Sequence, residues 1–141
     1  MKRSNASVLA FDYGLRQIGV AVGNSELGTC QPLAVIRARD GAPDWDAVAR
    51  CLQEWQPGRV LVGDPLNMDG SASEMSARAQ RFARQLEGRY GVKVTMVDER
   101  LSSREAKSRA REQGHRGDYH ADPIDADAAA LIMESWLVME S

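Results

Sequence analysis

The stretch that decides the fold is Val8-Leu9-Ala10-Phe11-Asp12-Tyr13-Gly14-Leu15-Arg16-Gln17-Ile18-Gly19-Val20-Ala21-Val22-Gly23. Residues 8–11 read as a buried strand that runs into a carboxylate, and period-two alternation puts Val8, Ala10 and Asp12 on one face. Gly14 marks a tight turn. Residues 18–22 read as a second strand, close enough in sequence to pair antiparallel with the first. A carboxylate beside two apolar strands costs several kcal/mol to bury unless something compensates it. The glycine turn next to it lets a phosphate approach the backbone closely.

Outward from this hairpin, Leu33-Ala34-Val35-Ile36 predicts a third strand, broken by Gly41. Pro43-Asp44 opens a helix whose Trp45, Val48, Leu52 and Trp55 recur at helical spacing, and Pro57-Gly58 ends it. Val60-Leu61-Val62-Gly63 reads as a short buried strand parallel to the first, followed by a Pro/Asn/Gly-rich loop over residues 64–71. A helix starts near Ser73 with an apolar face of Met75, Ala79, Phe82, Ala83 and Leu86; Arg78, Arg81 and Arg89 lie to one side, and Gly91 stops it. Residues 92–97 form another strand, leading into Asp98-Glu99-Arg100. Ser102 and Glu105 make a capping-box pattern for a polar helix that ends at Gly114. Residues 114–121 read as a loop, and Asp122-Pro123 opens a last helix that is apolar nearly all round. Three strands in a row, then alternating helices and strands, imply an α/β fold with a mixed central sheet and helices on both faces.

The chain has 141 residues, the length of one domain, with 43% hydrophobic and 27% charged residues. That allows a real core without staples. Cys30 and Cys51 have no metal-binding spacing and read as two small buried thiols in a reducing compartment. The apolar run behind the polar residues 1–7 is too short for a signal or a membrane span, so a cytoplasmic protein away from membranes is expected. The net charge is −2, but residues 78–116 hold eleven Lys/Arg against five Asp/Glu, and the remainder seven against fifteen. An acidic body with a basic segment suits an enzyme that grips a polyanion, although a pair of solvated helices has the same composition.

Three carboxylates stand out by position: Asp12 at the end of the first strand, Glu99 after an apolar strand, and Asp125 in the first turn of the last helix. Asp125 shares its face with Ala128, Ala129, Ile132 and Trp136, whereas Asp127 lies about 200° away with Glu134 and Ser135. Asp122 is better explained as an N-cap. Three acids at the ends of buried elements suit a hard divalent cation, Mg²⁺ or Mn²⁺, which prefers oxygen ligands. Taken singly, each is better explained as an ordinary cap or a surface ion pair; three together at the ends of buried elements weaken that explanation.

The hairpin pattern alone is shared by RNase H-like nucleases and by actin-like ATPases and sugar kinases. Taken with Val62-Gly63-Asp64-Pro65-Leu66-Asn67-Met68-Asp69-Gly70, Asp98-Glu99-Arg100-Leu101-Ser102, and Ile124-Asp125 before Ala128-Ala129, the chain resembles the YqgF/RuvX family, collinearly from about residue 9 to 136. That family is described as nucleases of pre-16S rRNA and is related in fold to Holliday-junction resolvases. The resemblance implies an RNase H-like fold. It also implies two-metal phosphodiester hydrolysis, with Asp12, Glu99 and Asp125 as both catalytic acids and metal ligands and Asp12 bridging two ions. Two positions depart from the family pattern: Asp64, where an apolar residue is usual, and Asp127, where a small polar residue is common.

On this reading the enzyme is a metal-dependent nuclease that matures the 5′ end of pre-16S rRNA during ribosome biogenesis. Its partners are RNA and pre-ribosomal particles, and it acts as a monomer or weak homodimer. No His or Ser nucleophile is needed, and His115 and His120 read as loop residues. Gly14 and Arg16 would meet substrate phosphate, with Arg16 equally an ordinary turn arginine. Arg104, Lys107 and Arg111, at i, i+3 and i+7, would form a basic stripe that positions the backbone without reading bases. A resolvase acting on branched DNA is the alternative nuclease. A phosphotransferase of the actin-like branch needs a second copy of the fold, for which the chain is too short. A catalytically inactive nucleic-acid-binding module leaves the acidic trio unexplained, and metal binding discriminates it.

Overall fold

The computed structural model describes residues 6–99 and 123–140, with side chains 126–139 in the second segment. Apolar runs too short for helices become strands. These are β1 (Ser7–Asp12), β2 (Gln17–Asn24), β3 (Thr29–Arg39), β4 (Ala42–Pro43), β5 (Arg59–Asp64) and β6 (Val94–Asp98). They form one sheet in the order β4-β3-β2-β1-β5-β6. The first four are antiparallel neighbours. β1, β5 and β6 are parallel, in the register Phe11↔Val62 and Val62↔Met96. Their carboxyl ends therefore stop side by side, which is where open α/β sheets bind ligands.

Among the described residues three helices cover the sheet: α1 (Trp45–Trp55), α2 (Glu74–Tyr90) and α3 (Pro123–Glu140). Asp44 caps α1 by accepting the Ala47 N–H at 3.2 Å. Ser73 caps α2 by accepting the Ser76 N–H at 2.9 Å, and Gly91 ends it at φ 67°. Strand alternation divides the core into two layers. Leu9, Phe11, Val60 and Val62 point to α1 and α2, where they meet Val48, Leu52, Phe82 and Leu86. Phe82 is the hub, with its ring 5.6 Å from Phe11, 5.2 Å from Tyr13 and 5.8 Å from Trp45. Val8, Ala10, Leu61 and Val97 point to the opposite face, where α3 lays Ala129, Ile132, Met133 and Trp136 over them. Because α3 crosses the middle of a sheet, its apolar character all round is needed.

Among the described residues the expected elements are present, with four differences; the polar helix expected from Ser102 to Gly114 and the loop expected over residues 114–121 lie outside the described residues. β3 is longer than residues 33–36, and its register with β2 slips between Val20 and Ala21. Pro43 belongs to the two-residue strand β4 rather than to the helix start, because the turn at Asp40 and Gly41 folds the chain back on β3. On α2 the buried position is Ser76, not Met75, since the Ser76 hydroxyl finds a carboxylate partner. Cys30 and Cys51 form no disulfide and are only half-buried, lying at the borders of the two layers.

Candidate active site

Period-two alternation now acts across three strands at once. Ala10, Leu61 and Val97 face α3, so Asp12, Gly63 and Glu99, each two residues further on, fall on that same face at the carboxyl ends of neighbouring strands. The glycine between the two acids makes room for them. A Cβ on Gly63 would stand 2.8 Å from Cδ and 2.9 Å from Cγ of Glu99, and 2.5 Å from Cδ1 of Ile132 on α3. Glu99 thus lies across a bare strand backbone, under α3, and reaches Asp12.

The electrostatics follow from that burial. Loss of solvent pushes the Glu99 carboxyl above the ordinary carboxylate range; a hydrogen bond with Asp12 partly offsets this, and the negative charges of Asp64 and Asp98 add to the rise. The donors gathered here are carboxylate oxygens, the set preferred by hard divalent cations. Among the described residues no group of three metal-binding side chains is complete. Asp125, the third expected acid, stands in the first turn of α3, two turns before Ile132 and in the same helical phase. Its side chain lies outside the described set.

Asp64 faces the other way. Its carboxylate accepts the hydroxyl of the fully buried Ser76, and the Gln80 amide approaches its second oxygen at 3.5 Å. It is therefore tied to α2, on the far side of the sheet from α3, and acts on Glu99 only through its charge. Asp127 is half-buried on α3, beside the equally half-buried Glu134 and Ser135, rather than fully solvated.

Gly14 and Arg16 line the same open cavity as Asp12, about 450 Å³, together with Tyr13, Leu15, Gln17 and Met75. A Cβ on Gly14 would stand 2.5 Å from the Gln17 carbonyl oxygen, so the turn requires glycine. Arg16 is exposed at its rim. Arg104, Lys107, Arg111, His115, His120 and Asp122 lie outside the described residues. Gly63, which reads in the sequence as the end of a strand and as part of the Val62–Gly70 motif, is a position whose role beside the acids was not visible there. The available signal was that Gly63 follows Leu61 on the face that carries Asp12.

A family model described as RuvX, Holliday junction resolvase, matches residues 6–139. A protein of Chromohalobacter salexigens named "Putative pre-16S rRNA nuclease" is 56% identical over 92% of this chain and 87% of its own length. A protein of the same name from Azotobacter vinelandii is 53% identical over 92% of both. Among solved structures, RuvC of Thermus thermophilus in complex with a Holliday junction substrate superposes with a TM-score of 0.60 at 17% identity, covering 96% of each chain. The fowlpox virus Holliday junction resolvase gives 0.54 at 14%, covering 96% of this chain and 99% of its own. At those identities the structures speak for the fold, which is RNase H-like. On the sequence match across nearly its whole length, this chain belongs to the RuvX family.

Proposed function

We propose that this protein is a metal-dependent nuclease that hydrolyses a phosphodiester bond in the 5′ region of precursor 16S rRNA. The observation that carries the proposal is the Asp12–Glu99 pair, held together on the α3 face at the carboxyl ends of adjacent parallel strands. Asp12 and Glu99 would hold one or two ions of Mg²⁺ or Mn²⁺, with Asp125 supplying a third carboxylate from α3. Divalent ions in such a site act as Lewis acids and lower the pKa of a bound water.

The protein's own contribution is placement. Gly63 lets Glu99 lie flat against the strand, and Ile132 roofs it, so its carboxylate is presented in a preset position. That preorganisation is how an enzyme aims charge at a reacting phosphate without moving during the reaction. The Gly14 turn opens the backbone beside Asp12, and Arg16 at the cavity rim would pair with a phosphate oxygen.

The relatives' name favours RNA as substrate and a place in ribosome biogenesis, with action in the cytoplasm and contact with pre-ribosomal particles. Among the described residues no helix is long and apolar enough to cross a membrane. The family model's description favours a second reading, cleavage of branched DNA. Purified protein with Mg²⁺ or Mn²⁺ on matched precursor RNA, duplex DNA and a four-way junction decides between them. Metal-dependent cleavage of the RNA supports the first reading, and paired cuts in the junction with none in RNA support the second. No cleavage of any substrate with either metal would overturn both.

A further inference from the structure

A second concave surface opens beside Asp12, on the α2 side of the sheet. Arg78, Arg81, Gln85 and Arg89 recur at i, i+3, i+7 and i+11, so they make one stripe along α2. Arg78, Arg81 and Gln85 form one wall of a groove of about 230 Å³; residues 40–43 and Trp45 form the other, and Tyr13 and Phe82 form the floor. Tyr13 follows Asp12 directly, so the groove begins one residue from the proposed metal site. The hydroxyl of Tyr13 donates to the Gly41 carbonyl and pins the β3–β4 turn there. Gly41 sits at φ 87°, and a Cβ on it would stand 2.7 Å from that hydroxyl and 3.4 Å from an Arg78 guanidinium nitrogen. The bare turn brings guanidinium and hydroxyl to the same spot.

Charge and size indicate what fits. Arg78 and Arg81 are exposed. Arg78 meets Glu74 only at 3.8 Å in a solvent-facing pair, which contributes little and yields easily to a stronger anion. Among the described lining residues Asp40 is the one acid. The volume equals roughly seven or eight waters at about 30 Å³ each, below the usual range for whole small-molecule ligands, and it suits a phosphate with part of its sugar. Ring faces are already occupied: Trp45 by Phe82 and by Arg89, whose guanidinium carbon lies 4.0 Å from the ring centre, and Tyr13 by Phe82. What remains for a ligand is guanidinium and amide donors, which recognise backbone rather than base.

We propose that this groove carries the sugar–phosphate backbone of the substrate strand immediately beside the bond that is cut, with Arg78 and Arg81 pairing with successive phosphates. The assignment rests on the nuclease reading and names the surface by which the strand is held. The test is equilibrium binding of a labelled 20-nucleotide single-stranded RNA to the full-length protein in EDTA, between 50 and 200 mM salt. Each lost phosphate contact on a single strand removes about 0.7 from the log–log salt slope. Arg78→Gln/Arg81→Gln should therefore flatten the slope by about 1.4, so the wild type loses about sevenfold more affinity across that range than the variant. Arg78→Lys/Arg81→Lys keeps two cations and should keep the slope. In Mg²⁺ the Gln variant should show its defect mainly in KM rather than in kcat. Thermal melting checks that both variants fold. If the wild type cleaves RNA while the Gln variant keeps the wild-type slope and KM, the groove proposal is overturned and the nuclease reading stands. If the wild type neither binds nor cleaves the strand, both fall.

Discussion

Gly63→Ala is the substitution whose effect the structure determines most sharply. The added methyl would stand 2.8 Å from the Glu99 carboxyl carbon and 2.5 Å from Ile132 Cδ1. Ordinary carbon–carbon contact is about 3.5–4.0 Å, so Glu99 must retreat by roughly 0.7 Å or more. The Gly63 backbone is ordinary strand, and the three clashing atoms all belong to the flexible side chains of Ile132 and Glu99. The stability cost should therefore be at the low end of overpacking, about 1 kcal/mol, or about 3 °C in Tm. Function should suffer far more, because a misplacement of about 1 Å in a reacting constellation costs on the order of 100-fold. Three assays separate these effects: thermal melting, calorimetric titration with Mn²⁺, and single-turnover cleavage at saturating RNA. The expected pattern is a small loss of Tm, clearly weakened Mn²⁺ binding and a rate reduced about 100-fold. A variant that binds Mn²⁺ and cleaves like the wild type would refute the argument that Gly63 exists to seat Glu99.

Three further outcomes follow from other parts of the molecule. Gly88→Ala, on exposed α2 with nothing within 4 Å of a new Cβ, should raise stability by about 0.5–1 kcal/mol through helix propensity; a lower Tm would show that the helix end is not as described. Ser76→Ala removes the hydroxyl that holds Asp64 and should cost about 1–3 kcal/mol in denaturant unfolding, so a change under about 0.5 kcal/mol would mean that this buried bond carries nothing. Because the folded-state pKa of Glu99 is raised, the metal-free folded protein holds a proton that the unfolded chain has already released. Its stability contribution is therefore present below the ordinary carboxylate range and is lost as pH rises through the raised value, at up to about 1.4 kcal/mol per pH unit. Glu99→Gln should lack that decline and Mg²⁺ should suppress it in the wild type; an identical pH profile in Glu99→Gln would contradict the assignment.

Asp12 and Glu99, two acids of the proposed site, stand out in the sequence as candidates because they sit at the ends of apolar strands. Val8 and Ala10 announce the face of Asp12, and the apolar run before Glu99 announces a burial that a lone carboxylate does not tolerate. What one strand cannot announce is its neighbour. That Gly63 lies between Asp12 and Glu99 depends on the parallel pairing of β1, β5 and β6, a contact among residues some 50 and 35 positions apart. Ser76 was hidden for the same reason, since a hydroxyl looks solvent-facing until a carboxylate from another element satisfies it. The same partner resolves Asp64, whose departure from the family pattern is absorbed by Ser76 and Gln80 on α2. The strand β4 has two residues and no periodicity, so Gly41 and Pro43 read as a breaker and a helix start. The groove they complete with Arg78 and Arg81 comes from packing between distant segments.

The central claim is that Asp12 and Glu99 act as ligands for the ion that drives phosphodiester cleavage. Its most direct test is single-turnover cleavage of precursor RNA over a range of Mg²⁺ concentrations by the wild type, Asp12→Asn and Glu99→Gln, with folding verified by melting. Each amide keeps the shape of the acid but removes a negative oxygen ligand. The account predicts Mg²⁺-dependent cleavage by the wild type and near-complete loss in both folded variants at every Mg²⁺ concentration. Wild-type rates in folded Asp12→Asn, or wild-type cleavage that persists in EDTA, would contradict it.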